Sequence, residues 1–185
     1  MYNYATMRRL LFTSLFLIFL VGSTFIGPAK PVQAADITPS DLIALVNGIR
    51  TAYGLPALGV NSILMGTAQW TADEMIRTGI RDHLSYNGYP QPEDRMAAAG
   101  YGGGNVVWGT ENWAGGYASS MTIDTIQGYW ADYWHMLPMT DPNYQEIGAG
   151  VSVGENGEAI YIVHAAYYSG GTTYNTPIPG VIPTT

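Results

Sequence analysis

The chain is 185 residues long, contains no cysteine and has a net charge of −7. Beyond residue 34 it carries four arginines and no lysine against fourteen acidic residues, a net charge of −10. Such an acidic surface repels phosphate groups, which excludes binding to nucleic acid and to anionic lipid heads. The length corresponds to one domain, whose core must be held by packing alone because disulfides are impossible.

The first 35 residues have the features of an export signal. Two arginines precede an apolar run over residues 10–26, and Val32-Gln33-Ala34 is a typical cleavage sequence. These features predict a secretory signal peptide over residues 1–35, cleaved near Ala34-Ala35, and a secreted, extracellular protein with no membrane span after cleavage. An uncleaved N-terminal anchor is the alternative, because the run approaches the roughly 20 residues that span a bilayer. Export without cysteine is typical of bacterial proteins.

Two long helices are predicted in the first half of the chain. Thr38-Pro39-Ser40-Asp41 is a typical helix start, and apolar residues follow at helical spacing until Gly54. The second helix is expected from an N-cap at Asn61 or Ser62 to about Thr78, ended by Gly79. His83 then falls in a loop.

The second half mixes short helices and strands. A short helix is expected over residues 92–99, an extended segment over 105–112, and a single helix over 122–135 that Pro138 ends. Two strand-like segments follow, 147–153 and 159–167, joined by a turn that contains the hairpin dipeptide Asn156-Gly157. From residue 171 to 185, Gly, Thr and Pro predict a loose C-terminal tail.

Candidate functional residues centre on the histidines. His83 and His135 lie 28 residues before and 24 residues after Glu111, too far apart for one helix face. A shared site would therefore need separate elements that the fold brings together. Two imidazoles near a carboxylate can hold a divalent metal such as zinc, act as acid and base, or form a hydrogen-bonded cluster that fixes a cleft. The residues alone leave all three open.

The remaining polar candidates have structural interpretations. Glu111, next to Asn112, either anchors a loop by bonding backbone amides or belongs to a ligand site. His164 lies in an apolar strand, where a buried histidine with satisfied hydrogen bonds is the ordinary case. Arg95 is expected to tie its helix to the Gly100-Tyr101 loop rather than to touch a ligand.

These residues together resemble the CAP superfamily, the SCP-like extracellular domain of cysteine-rich secretory, antigen 5 and pathogenesis-related proteins. The family's motifs appear here in order at His83, Arg95, Gly100-Tyr101, Glu111-Asn112 and His135, with Leu55-Pro56-Ala57-Leu58 and residues 147–151 as flanking matches. The resemblance covers about residues 38–168, and its specificity lies in the ordered set. Animal and plant relatives use disulfides, so this chain resembles a cysteine-free bacterial branch.

The resemblance implies a fold and a cleft. The expected fold is a three-layer α-β-α sandwich with a central antiparallel sheet, spanning a domain over residues 36–170. Its central cleft would be lined by His83, Glu111 and His135, and in some relatives the two histidines bind zinc. The family's cleft commonly has a second glutamate, which this chain lacks. Asp132, three residues before His135, is the candidate replacement.

The functional hypotheses follow from the cleft. The chain has no Gly-x-Ser-x-Gly elbow, no His-Glu-x-x-His and no cysteine nucleophile, so the indication of an enzyme is weak. The first hypothesis is a binding module for a lipid, a cell-wall component or a protein partner, with Zn²⁺ or another divalent cation as a candidate cofactor. The alternative is a metal-assisted hydrolase of peptide or ester bonds, with a zinc-bound water and Glu111 as the base. A purely structural exported domain is the third hypothesis.

Overall fold

The structure, a computed structural model, describes residues 37–170. The predicted signal peptide, its cleavage site, the anchor alternative and the C-terminal tail lie outside these residues. Within them, helices and strands alternate irregularly along the chain: α1 Pro39–Ala52, β1 Gly59–Val60, α2 Ser62–Thr78, α3 Pro92–Ala98, β2 Val107–Tyr117, α4 Ile123–Tyr129, α5 Tyr133–Thr140, β3 Glu146–Val153 and β4 Glu158–Tyr168.

The two long helices begin and end where their capping residues predict. The hydroxyl of Thr38 accepts from the backbone N–H of Asp41, whose carboxylate accepts in return from the N–H of Thr38, so α1 has a complete capping box. Asn61 caps α2 by accepting from two backbone amides, those of Ile63 and Leu64. The helix ends at Gly79, which adopts a left-handed φ of 73°.

One sheet of four strands forms the centre, in the order β1-β3-β4-β2. The β3–β4 hairpin and the β4–β2 pair are antiparallel, which confirms the predicted central antiparallel sheet. The two-residue strand β1 runs parallel to β3 at one edge, and it is too short to leave a periodic pattern in the sequence. Strand β2 forms the opposite edge.

Helices cover both faces of the sheet, so the predicted α-β-α sandwich is correct. Successive side chains of a strand point to opposite faces. In β4, Tyr161, Val163 and Ala165 pack in one core with residues of α1, α4 and α5. On the other face, Ile160, Ile162 and Ala166 pack against α2 and α3. Burial on both faces explains why β4 is apolar almost throughout. None of the described helices is both long and apolar enough to cross a bilayer.

Two glycines allow α2 to lie directly on β3. A Cβ at Gly148 would come within 2.1 Å of the backbone carbon of Leu64, and one at Gly150 within 2.4 Å of the backbone nitrogen of Gln69. No side chain fits between helix and strand at these two points. The pair fixes the position of α2, which carries part of the buried polar cluster described below.

The single helix predicted over residues 122–135 is wrong, because it is divided in two. The buried Trp130 ends α4 and donates its indole N–H to the carbonyl of Trp113 over 2.9 Å. Asp132 then caps α5 by accepting from the amides of Trp134 and His135. The predicted end at Pro138 is also wrong, since α5 continues to Thr140. A proline here removes one helical hydrogen bond, and the short helix continues without it.

Candidate functional site

Glu111 lies at the centre of a buried polar cluster. It belongs to the edge strand β2, directly opposite His164 of β4, and its side chain is 1% exposed. Three side chains donate to its carboxylate: Nδ1 of His83 over 2.8 Å, Nη2 of Arg95 over 2.5 Å and Nε2 of His164 over 2.9 Å. We call these four residues the Glu111 cluster.

The ionised carboxylate of Glu111 determines which ring nitrogen carries the proton in His83 and in His164. Burial alone would raise the pKa of Glu111, but hydrogen bonds from His164 and His83 and the charge of Arg95 hold it well below its ordinary range. An ionised carboxylate only accepts hydrogen bonds. The proton of His83 therefore lies on Nδ1 and that of His164 on Nε2. The Nε2 atom of His83 stays available to a ligand.

His164 is fully buried between β4 and α2. Burial lowers its pKa, and this effect outweighs the hydrogen bond that the ring donates to Glu111, which acts in the opposite direction. The ring is neutral at pH 7, so its Nδ1 accepts from the hydroxyl of Thr67 over 2.9 Å. The predicted core histidine with satisfied hydrogen bonds is confirmed. Its direct bond to Glu111 is a connection that the sequence interpretation missed.

Arg95 joins α3 to the Glu111 cluster, so the expected tie to the Gly100-Tyr101 loop is wrong. Besides Glu111, its guanidinium donates to the carbonyl of Pro90 over 2.6 Å. The buried carboxylate of Glu111 needs a buried positive partner, and Arg95 supplies it. The Nε atom of Arg95 is buried and makes no hydrogen bond within the described part of the chain.

His135 is held by Asp132, which precedes α5, and by Asn112 of β2. Asp132 accepts from its Nδ1 over 2.6 Å, and the amide of Asn112 donates to its backbone carbonyl over 2.9 Å. Hydrogen bonds from the backbone and the ring of His135 lower the pKa of Asp132. Asp132 is therefore ionised, the proton lies on Nδ1 of His135, and the Nε2 of this ring is also left for a ligand.

The two histidines meet at a cavity of about 400 Å³ beside the edge strand. His83, His135, Trp113 and Tyr129 are among its lining residues. Glu111 borders a neighbouring cavity of about 230 Å³ together with His83. Asp132 borders neither cavity and reaches this region only through His135. Three of the four predicted site residues thus border these two cavities beside β2, and Asp132 is attached to them through His135. We call the larger of the two cavities the cleft.

The cleft has some features of a metal site but too few ligands for one. Both rings have Nδ1 held by a carboxylate, which is the usual outer-shell arrangement of metal-binding histidines. A zinc site, however, needs at least three protein ligands. Among the described residues, no group of three or more His, Asp and Glu side chains is arranged to hold a metal ion. Two ring nitrogens alone do not make such a site.

A larger and more apolar cavity, of about 540 Å³, lies between α2 and α3. Ile63, Trp70 and Ala98 are among the residues that line it, and neither cleft histidine borders it. It shares Arg95 with the Glu111 cluster. Its size exceeds that of the cleft, but it lacks the converging imidazoles that make the cleft chemically distinctive.

An α-β-α sandwich with a histidine cleft at its edge strand defines a class of protein, and comparisons agree with it. A family model described as the cysteine-rich secretory protein family, CAP, matches residues 43–168. The chain therefore belongs to the CAP family. The absence of cysteine fits the family's bacterial members. No curated protein matched the sequence.

Solved structures share the fold at low identity. An outer surface protein from Borrelia burgdorferi has a TM-score of 0.59 and 15% identity, and the match covers 70% of this chain and 91% of that one. An extracellular protein containing an SCP domain from Bacillus anthracis has a TM-score of 0.57 and 19% identity, over 75% of this chain. The match covers only 44% of the Bacillus protein, so this chain spans less than half of it.

Proposed function

We propose that this protein is a secreted, extracellular binding domain that holds its ligand in the cleft between His83 and His135. The observation that carries the proposal is that both imidazoles border one cavity and each has its Nδ1 fixed by an ionised carboxylate. The candidate ligands are a lipid, a cell-wall component or a protein partner. The fold family and the export signal expected in the sequence support an extracellular role.

The carboxylates make the two rings a prearranged pair of binding groups. A ring whose Nδ1 is bonded to a carboxylate cannot rotate freely, so a ligand does not have to order it. The Nε2 of a neutral ring accepts a hydrogen bond, and that of a charged ring donates one. The cleft also contains the apolar faces of Trp113 and Tyr129. This combination of a few fixed polar groups and apolar walls is typical of ligand sites.

The hydrolase alternative has little support in the geometry. Glu111 would have to act as the base, yet its carboxylate already accepts from three donors, and its pKa lies well below the ordinary range. A general base works best when its pKa lies near the working pH. The side chain is also almost completely buried. Glu111 therefore suits the role of an anchor for His83.

Histidine ring NMR of the purified protein tests the proposed function. Ring nitrogen signals would be followed while phosphatidylcholine vesicles, uncharged oligosaccharides and mixed peptides are added in turn. His164 serves as an internal reference, because both of its ring nitrogens are bonded within the core. We expect at least one probe to shift His83 and His135 but not His164. A protein in which no probe moves either cleft histidine would contradict the proposal.

A further inference from the structure

The cleft and the smaller cavity share one lining residue, His83. This side chain borders both cavities, of about 400 and about 230 Å³. Both also follow the edge strand, since residues 113–115 of β2 border the first and residues 109–111 the second. Together the two cavities extend along residues 109–115 of β2, and we call them the His83 groove. Its shape suits consecutive units of a linear molecule.

We propose that the His83 groove binds a linear, uncharged glycan chain. This proposal rests on the binding role proposed above and names the chemical class of the ligand. Three features support the proposal. Aromatic rings lie in both halves of the groove, and no lysine or arginine among the described residues borders it. In addition, the side chain of Trp130 already bonds a carbonyl at the edge of β2.

Each half of the groove combines an exposed aromatic ring with hydrogen-bonding side chains. Tyr86 borders the smaller cavity and is 74% exposed, and Tyr129 borders the larger one and is 55% exposed. The ring of Tyr86 packs edge-on against His83, with 5.7 Å between centroids. Exposed aromatic rings at a cavity indicate a binding surface. A pyranose sugar matches them, because it has an apolar C–H face for stacking and a rim of hydroxyls for hydrogen bonds.

The charge of the groove favours an uncharged polymer. Asp82 borders the larger cavity and Glu93 the smaller one, and among the described residues no lysine or arginine borders either. Carboxylates accept strong hydrogen bonds from sugar hydroxyls. They repel sulfated, phosphorylated or uronic acid chains, in agreement with the acidic chain as a whole. An anionic polymer therefore does not fit.

An extended peptide is the competing linear ligand, and the edge strand disfavours it. Peptides commonly bind beside a sheet by adding a strand to a free edge. At the centre of the groove the carbonyl of Trp113 already accepts from the indole of Trp130. An added strand would have to displace this buried tryptophan. A glycan needs no backbone hydrogen bonds from β2, since it is held by side chains.

Calorimetric titration of the purified protein with uncharged tetrasaccharides of glucose, mannose and N-acetylglucosamine tests the proposal. We expect at least one to bind with a Kd below about 1 mM. Tyr86→Ala and Tyr129→Ala should each weaken binding roughly threefold to tenfold, because each removes one stacking ring. Tyr53→Ala is the matched control, since Tyr53 is 65% exposed and borders neither cavity. Affinity should not change between about 50 and about 500 mM salt.

The results that overturn the glycan assignment differ from those that overturn the binding role. Vesicles or peptides that shift the rings of His83 and His135 while no tetrasaccharide binds would leave the cleft as a binding site and reject the glycan. Equal loss of glycan binding in the Tyr53→Ala control, or no loss in both groove variants, would place the glycan elsewhere. Failure of all probes at both histidines would reject the binding role itself.

Discussion

Glu111 and Asn112 are consecutive residues of the edge strand β2, and each holds one of the two cleft histidines. Glu111 accepts from the ring of His83, and Asn112 donates to the backbone carbonyl of His135. Because neighbouring residues of a strand point to opposite faces, the two histidines are secured from opposite sides of the sheet. They meet at the cleft because β2 is the outermost strand there.

This arrangement makes the cleft depend on the register of one strand pair. Glu111 lies opposite His164, and Asn112 lies opposite Val163. A slip of one residue would place Glu111 on the face where Asn112 now lies and would expose a carboxylate to the apolar core on that side. The bond between Glu111 and His164 therefore fixes the register as well as the cleft.

Glu111→Gln should destabilise the protein strongly. The change keeps the shape of the side chain but removes the charge that balances the buried guanidinium of Arg95. Loss of one partner of a buried ion pair costs about 3–5 kcal/mol in the free energy of unfolding. Urea denaturation followed by circular dichroism measures this loss of free energy of unfolding. Glu155→Gln is the matched control at an exposed position, with an expected change within about 0.5 kcal/mol. Equal changes in both variants would contradict a central role for Glu111.

Gly148→Ala should lower the free energy of unfolding by far more than the addition of one methyl group suggests. The added Cβ would come within 2.1 Å of the backbone of α2, where no side chain can move aside. Overpacking typically costs about 1–3 kcal/mol, and we expect the upper end or more because backbone must shift. Gly48→Ala in the open middle of α1 is the control and should stabilise by about 0.5–1 kcal/mol. Thermal unfolding of both variants compares them, and a harmless Gly148→Ala would show that α2 does not rest on β3.

The parts of the fold that are encoded locally were predictable from the sequence. Thr38 and Asp41 at the start of α1, and Asn61 and Gly79 at the ends of α2, act through hydrogen bonds within one turn of the helix. The division between α4 and α5 is not predictable from the sequence, since apolar residues continue at helical spacing across it. The helix α4 ends at Trp130, whose indole bonds a carbonyl of β2. This contact is tertiary, so no local pattern in the sequence indicates it.

The candidate site was predictable only as a set of residues. The spacing of His83, Glu111 and His135 shows that separate elements must carry them, and the pairing of His135 with Asp132 follows from their closeness in sequence. The bond from His164 to Glu111 joins residues 53 apart through the β2–β4 pairing. No local pattern specifies that pairing, so the sequence predicts a core position for His164 but not its link to the cleft.

Zinc should bind weakly, and through the two cleft histidines. The described residues supply two ring nitrogens rather than the three or four ligands of a stable site. Calorimetry with zinc chloride should give weak binding that disappears in His135→Gln and weakens as the pH falls, since a ligating imidazole must be neutral. Glu155→Gln is the control, because Glu155 is exposed and borders neither cavity. Zinc retained at one equivalent through purification would contradict the two-ligand geometry.

Acid should destabilise the protein in two steps, and the first should come from His164. Burial lowers the pKa of this ring in the folded state, whereas in the unfolded chain it takes up a proton near pH 6.5. Below that pH the unfolded state binds more protons, so the stability that is fully present above about pH 6.5 is lost as the pH falls. One proton limits the slope to about 1.4 kcal/mol per pH unit.

The second step should come from carboxylates that are ionised in the folded state. The pKa of Glu111 is lowered, so its contribution to stability is present above its unfolded value near 4.3 and is lost below it. Half-buried carboxylates such as Glu74, whose pKa is lowered to about 2 by Arg77 and Tyr89, titrate in the same acidic range. Between about pH 6.5 and pH 5, the change in stability therefore comes from His164 and not from the carboxylates.

The variant His164→Gln separates the two steps. Glutamine can still donate to Glu111 and accept from Thr67, but it cannot take up a proton near neutral pH. Urea unfolding at intervals from about pH 7.5 to pH 4 should show a sloping free energy for the wild type between about pH 6.5 and pH 5, and a flat one for the variant. Both should fall below about pH 4.5, where the carboxylates titrate. An unchanged slope in the variant would mean that His164 is already charged in the folded protein, in conflict with a neutral ring that accepts from Thr67.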